Sequence, residues 1–147
     1  MIENINDKFM QMALNEAIVA KEKNEVPIGA IIIANGQTIA RTHNLTQTLN
    51  DPTAHAEMLA ITAACNALGA KYLKGCTIYV TVEPCPMCAA ALRWAQIDNV
   101  VWATDDDKFG FSKIAPNLLH PKTKITKGVK KDQAQKLMED FFKIRRK

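Results

Sequence analysis

The sequence predicts an α/β chain with about five strands, and three observations carry that expectation. Ala30-Ile31-Ile32-Ile33-Ala34 is a β-branched run joined through Asn35-Gly36 to a second run, Gln37 to Arg41; Asn-Gly between two such runs is a strong hairpin signal. Thr77-Ile78-Tyr79-Val80-Thr81-Val82 and Asn99-Val100-Val101-Trp102-Ala103 have strand composition, and the small, apolar Ala89-Ala90-Ala91-Leu92 between them suits a helix packed on a sheet. Helical spacing of apolar residues marks both ends of the chain. At 147 residues, one domain spanning 1–147 is the natural expectation. Such a chain buries roughly 68–70% of its unfolded surface, enough for a self-sufficient core.

Phe9, Met10, Ala13, Leu14, Ala17 and Ile18 predict an amphipathic helix from Asn6 to Lys23, with Asn24 as its stop. The uninterrupted isoleucines predict a strand covered on both faces. Thr42 to Thr53 reads as a polar loop with a turn at Asp51-Pro52. A helix follows over about Ala54 to Leu68, stopped by Gly69 and carrying His55 and Glu57 in its first turn. Thr104 to Pro121 reads as a long irregular segment, and loops of that length in compact domains are often functional. Lys124-Ile125-Thr126 suits a short last strand. Asp132 to Arg146 suits a closing helix with Leu137, Phe141 and Ile144 on one face. Trp94 and Trp102 are expected in the core, and His43 and His120 in loops.

The composition, 48% apolar and 23% charged, is that of an ordinary globular protein. The first seven residues have neither a basic n-region nor an apolar h-region, so no signal peptide is expected. No apolar run approaches the roughly 20 residues that span a bilayer. A cytoplasmic protein without a membrane segment is therefore expected. The net charge of +4 is unevenly spread. From Lys108 onward there are twelve Lys and Arg against three Asp and Glu; residues 1–107 carry seven against twelve. A polyanionic partner for the C-terminal part follows from that asymmetry.

Chemistry concentrates in two stretches, Asp51-Pro52-Thr53-Ala54-His55-Ala56-Glu57 and Val82-Glu83-Pro84-Cys85-Pro86-Met87-Cys88. One imidazole and two thiolates are good zinc ligands, and three protein ligands leave the fourth tetrahedral position open. Water there has its pKa lowered to about 7, and Glu57, two residues from the imidazole, is placed to shuttle its proton. Cys85 and Cys88 share one face of a helical turn, Pro86 suits a first helical position, and a helix N-terminus favours thiolates. The remaining Cys65 and Cys76 read as buried free thiols in a reducing compartment.

The pattern H-x-E…P-C-x-x-C is the signature of zinc nucleobase deaminases, and the chain resembles the tRNA-specific adenosine deaminases within the wider cytidine deaminase-like group. The resemblance runs over nearly the whole chain. It includes Glu25-Val26-Pro27-Ile28-Gly29, Asn44, the Asp51-to-Glu57 stretch, Thr81-Val82-Glu83-Pro84-Cys85, and the ending Phe141-Phe142-x-x-Arg145-Arg146. It implies a three-layer α/β/α cytidine deaminase-like fold with a central mixed sheet of about five strands. It implies that His55, Cys85 and Cys88 hold catalytic Zn2+, with Glu57 as proton donor. Asn44 would hydrogen-bond the flipped base, and Asp106 would contact nucleotides beside it. Glu25, Val26, Pro27, Phe142 and Arg145 would complete the substrate-binding set. A homodimer acting on a wobble-position adenosine in a tRNA anticodon loop is the implied assembly and substrate. The sequence departs from the family after Gly110, where Phe111-Ser112-Lys113 replaces a small-residue stretch. A downstream Asn-His pair is missing, and the segment around His120-Pro121-Lys122 is short.

Two further readings share these residues. A deaminase of a free nucleobase or nucleoside, such as guanine or cytosine, uses the same zinc site, and the basic, Phe-Phe-containing tail argues against it. A structural zinc site needs a fourth ligand; His43, His120, Cys65 and Cys76 are available, but none has motif spacing. A thioredoxin-like Cys85-x-x-Cys88 pair leaves His55 and Glu57 unexplained.

Overall fold

The protein was analysed as a computed structural model that describes residues 4–145. Met1, Ile2 and Glu3 of the N-terminal stretch, and Arg146 and Lys147 of the basic ending, lie outside the described residues. In chain order the elements are α1 (Ile5–Glu22), β1 (Gly29–Ala34), β2 (Gln37–His43), α2 (Ala56–Leu68), β3 (Cys76–Val82), α3 (Pro86–Ala95), β4 (Asn99–Thr104), α4 (Phe111–Ile114), β5 (Lys124–Lys127) and α5 (Lys131–Arg145). The five strands form one mixed sheet in the order β2-β1-β3-β4-β5. β1 is antiparallel to β2 and β3, whereas β3, β4 and β5 run parallel.

Side-chain alternation divides the core between the two faces of the sheet. Ile32, Ile78, Val80, Val100 and Trp102 point to the face covered by α2 and α3. Ile31, Ile33, Tyr79, Val101 and Ala103 point to the other face, where α1 and α5 pack through Phe9, Met10, Leu14 and Ala134. The three-layer expectation is met, and the isoleucine run is covered on both sides. Each such side chain removed fully from water contributes about 1.5–3 kcal/mol.

The local signals explain most boundaries. Asn35 and Gly36 take φ of 52° and 76°, as a tight hairpin requires. Asn4 caps α1 by accepting from the Asn6 N–H at 2.9 Å, and Asn24 leaves the helix with φ 62°. Gly69 ends α2 in the left-handed conformation. A register shift between Ile32 and Ile33 marks a bulge in the β1–β2 pairing.

Four expectations need correction. Trp94 is 81% exposed, because α3 buries Cys88, Ala89, Leu92 and Ala95 and Trp94 lies off that stripe. Ile144 is 65% exposed: α5 buries Ala134 and Phe141, and its last turn outruns the surface it packs on. His43 is the last residue of β2, paired with Gly29, and not a loop residue. The segment after Thr104 is not wholly irregular, since Phe111 seeds α4 by packing edge-on against Trp102 at 5.7 Å.

Gly29 sits where β1 meets α1. A Cβ there would collide with the Ala13 carbonyl oxygen and come within 2.7 Å of the Ala17 nitrogen. Overpacking of this kind costs about 1–3 kcal/mol, so Gly29→Ala should lower the unfolding free energy by that amount, read as a lower urea midpoint at an unchanged m-value.

Candidate active site

β3 and β4 are parallel neighbours, and both end beside the site, at Val82 and Thr104. Sites in open α/β sheets gather outside such carboxyl ends. The chain leaving β3 turns at Glu83-Pro84, places Cys85 at the N-cap of α3 with Pro86 next, and brings Cys88 onto the helix's first turn. His55 reaches the same point from the N-cap of α2. That helix begins at Ala56, slightly later than its apolar pattern suggested, because the Asp51–Thr53 turn precedes it. Asp51 Oδ1 accepts there from the Thr53 N–H at 2.8 Å and the Thr53 hydroxyl at 2.7 Å.

His55 Nδ1 lies 3.6 Å from the Sγ of Cys85 and 3.6 Å from that of Cys88. Among the described residues, these three form the group of His, Cys and acidic side chains placed to hold a metal ion. Zinc fits them: bonds of about 2.1 Å to nitrogen and 2.3 Å to sulfur, at a tetrahedral angle, set the N···S edge at about 3.6 Å. Three donors would leave a bound zinc one coordination position for water or substrate.

The electrostatics are those of a site built to carry negative sulfur. Cys85 is drawn down to about 4 by a hydrogen bond from Cys88, against its own burial, with His55 adding to the shift. The same hydrogen bond, with burial, pushes Cys88 upward. His55 is raised, first by its hydrogen bond with Cys85. Glu57 is 4% exposed, on the first turn of α2. Burial raises it to about 7 from an ordinary 4.5; the Cys85 charge adds to this, and its own backbone N–H and His55 oppose it. A carboxyl group poised near neutrality can both accept and donate a proton.

A cleft of about 1070 Å³ runs outward from His55 and Cys85. Its walls are Val26 and Ile28 before β1, the Asp105–Phe109 loop, and the face of α5 that carries Lys131, Gln135, Met138, Phe142 and Lys143. Val26, Asp106 and Phe142, expected at the substrate, all line this cleft. Asn44 is 5% exposed, anchored by its N–H to the Ile28 carbonyl at 3.1 Å, and its side-chain amide donates to Thr46 Oγ1 at 3.3 Å. Pro27 is buried.

Glu25 and Arg145 are engaged within the chain. Glu25 is fully buried, and its oxygens accept from the Gln47 N–H at 3.1 Å and from the Thr48 N–H and hydroxyl at 2.6 Å each. It ties down the loop that follows Asn44. Burial alone would raise Glu25, and the Thr48 and Gln47 hydrogen bonds outweigh it, so its carboxyl sits below the usual range. Arg145 donates to the Asn24 carbonyl at 2.7 Å and stacks over Phe141 at 4.3 Å.

Gln135 and Met138 do not stand out in the sequence, where α5 shows its Leu137–Phe141 stripe and its basic ending. Their signal was available in the positions flanking the Leu137–Phe141 stripe. The contact between buried Glu83 and exposed Ser112 has no sequence signal, because it arises only when the loop after β4 folds back on the end of β3.

Residues 3–104 match the cytidine and deoxycytidylate deaminase zinc-binding region. The tRNA-specific adenosine deaminase of Bacillus subtilis is 43% identical, over 97% of this chain and 91% of the relative. That of Aquifex aeolicus is 46% identical over 92% of each. The chain belongs to the tRNA-specific adenosine deaminase family. A solved structure from studies of A-to-I editing by tRNA:A34 deaminases at the wobble position shares the fold, with TM-score 0.83 and 40% identity over 88% of this chain and 98% of that one. A guanine deaminase from Bacillus subtilis is 38% identical with TM-score 0.67, over 74% of this chain and 73% of that one. Zinc is the cofactor of this family's domain, and the His–Cys–Cys group supplies its donor set.

Two outcomes follow. Cys85→Ala, Cys88→Ala and His55→Ala should each purify with well under one zinc per chain by atomic absorption, whereas Glu57→Gln keeps a full complement. Glu25, with its folded-state pKa depressed, contributes stability that is present above the unfolded carboxylate pKa and lost as pH falls through the folded one. The stability gap between wild type and Glu25→Gln in urea titrations should therefore be full at neutral pH and shrink on acidification.

Proposed function

We propose that the chain, acting as a single domain, deaminates adenosine to inosine in tRNA, at the wobble position of an anticodon loop. The observation that carries this choice of substrate is the reach of the cleft. It extends from the His55–Cys85 edge to α5, well beyond the volume one base requires, and its far wall carries Lys131 and Lys143 with the half-exposed Phe142. Aromatic faces and basic side chains are what single-stranded RNA is read with.

The reaction replaces the amino group on the purine's six-membered ring with oxygen from water and releases ammonia. Zinc, when bound, supplies a Lewis-acid position that lets water act as nucleophile near neutral pH. Glu57 accepts the proton from that water, delivers it to the ring nitrogen beside the reacting carbon, and assists ammonia's departure. Its burial keeps bulk water from competing for that proton. In this reading the Asn44 amide exchanges its contact with Thr46 for one to the base and orients it. An anticodon loop is already single-stranded, so presenting the base costs little.

The basic residues of α5 hold phosphates, which makes binding salt-dependent. A homodimer would cover Trp94, and a cytoplasmic location follows from the tRNA substrate.

A free purine is the competing substrate, and the 38% identity to a guanine deaminase favours keeping it in the test. Zinc-loaded protein is incubated with an anticodon stem-loop carrying a wobble adenosine, and in parallel with guanine and cytosine. Nucleoside mass spectrometry should show inosine from the stem-loop, with Glu57→Ala slower by about 10²–10⁴-fold. Turnover of a free base without inosine would overturn the proposal. Raising salt from 50 to 200 mM should weaken stem-loop binding steeply while zinc content holds.

A further inference from the structure

Glu83 is a second buried carboxylate beside the cleft, only 5% exposed, and the chemistry just described makes no use of it. Its Oε1 accepts from the Asp106 N–H at 3.1 Å. Its Oε2 accepts from the Ser112 N–H at 3.0 Å and the Ser112 hydroxyl at 2.5 Å. Three donors converge on one carboxyl group, an arrangement that fixes its position and orientation. The backbone closes the same junction: the Glu83 N–H donates to the Thr104 carbonyl at 2.8 Å, and the Phe111 N–H to the Pro84 carbonyl at 3.0 Å. Gly110 lies flat on the carboxylate, and a Cβ there would overlap Glu83 itself and approach the Asp106 carbonyl oxygen to 2.6 Å.

The two donor residues flank a loop. Asp106 and Ser112 are its feet, and Asp107, Lys108 and Phe109 between them line the cleft. Phe109 is 65% exposed there. Within the loop, Asp106 Oδ1 accepts from the N–H groups of Lys108 at 3.1 Å and Phe109 at 3.0 Å, so fixing Asp106 fixes the turn. Glu83 also lies two residues before Cys85, so the loop is held against the same strand end that presents the metal donors.

We infer that Glu83, through Ser112, is a positioning residue for the Asp106–Phe109 wall, and thereby sets recognition of the nucleotides that flank the reacting base. This rests on the proposed polynucleotide substrate. The chemistry at the base is served by His55, Cys85, Cys88 and Glu57, which need no contact with the loop. Losing the clamp acts on binding of the flanking chain, with the chemical step spared.

The experiment compares Ser112→Ala, Ser112→Thr and Glu83→Gln with wild type, all zinc-loaded. The substrate is an anticodon stem-loop, tested with its native nucleotides and with abasic sites on either side of the wobble adenosine. Ser112→Ala should raise KM about tenfold, the size of one hydrogen bond lost to a buried carboxyl group, with kcat within about twofold and zinc unchanged. Ser112→Thr, which keeps the hydroxyl, should restore KM. Glu83→Gln turns an amide N–H₂ toward N–H and O–H donors and should exceed Ser112→Ala in KM. On the abasic substrates the wild-type advantage over Ser112→Ala should disappear. Unchanged KM in Ser112→Ala, or a fall in kcat and zinc together, would overturn the inference. Wild type that makes no inosine would instead defeat the proposed function, which keeps the two failures distinct.

Discussion

A tetrahedral metal site tolerates little positional error, and here its donors come from two helix N-termini 30 residues apart in sequence. Everything else in the fold serves that registration. α2 and α3 lie side by side on one face of the sheet, and apart from Leu92 the hydrophobic residues they bury in the core there are alanines: Ala56, Ala60 and Ala64 from one, Ala89 and Ala95 from the other. Alanine lets helices approach closely without displaced side chains. Parallel β3 and β4 then deliver Val82 and Thr104 to the same end of the sheet, so the Cys85 turn starts from a rigid support. A 3.6 Å separation from one imidazole to each of two sulfurs is the product of this packing.

Three buried glutamates around the cleft show how environment divides one residue type into different roles. Glu57 has burial as its dominant influence and rises to about 7. Glu25 is as deeply buried, yet Thr48 and Gln47 donate to it and it stays below its ordinary value. Glu83 takes three donors from Asp106 and Ser112. Desolvation disfavours the charged form, and hydrogen bonds to that form restore it. The glutamate nearest the metal donors is thus able to exchange a proton, while Glu25 ties down the loop after Asn44 and Glu83 ties down the Asp106–Ser112 segment beside the cleft.

What could be read from the sequence follows the range of the interactions involved. The Asn35-Gly36 hairpin, the Gly69 stop and the Cys85-Pro86 helix start were legible because each depends on residues adjacent in the chain. The metal donors were legible because ligand chemistry restricts residue type and spacing. Trp94 was misjudged because an indole is usually buried, and only the position of α3 on the sheet shows which of its faces is covered. The clamps at Glu25 and Glu83 were not legible: each joins residues more than twenty positions apart, and nothing in a Thr or Ser marks the carboxylate it will meet. Phe111 and Ser112, a departure from the family pattern when seen as letters, become an anchor in three dimensions, one ring against Trp102 and one hydroxyl on Glu83.

Charge gives the clearest case of a linear pattern rearranged by folding. The sequence divides into an acidic first part and a basic remainder, with the boundary just after Asp105-Asp106-Asp107. In space that boundary vanishes, because the acidic triplet and Lys131 and Lys143 line the same cleft. Several cations are paired within the chain, Lys113 with Asp107 at 3.3 Å and Lys127 with Asp105 at 3.9 Å. Exposed pairs of this kind are worth about 0–1 kcal/mol and yield readily to a competing phosphate. The carboxylate of Asp106 is different, since two backbone N–H groups occupy one of its oxygens. It therefore shapes the wall as much as it presents charge. The cleft is thus divided by function: its inner end, at His55 and Cys85, is arranged for proton chemistry with Glu57 buried behind it, and its outer end combines Lys131 and Lys143 with a fixed acidic turn. An outer end of that composition suits a ligand with a phosphate backbone and hydrogen-bonding bases better than a compact base alone.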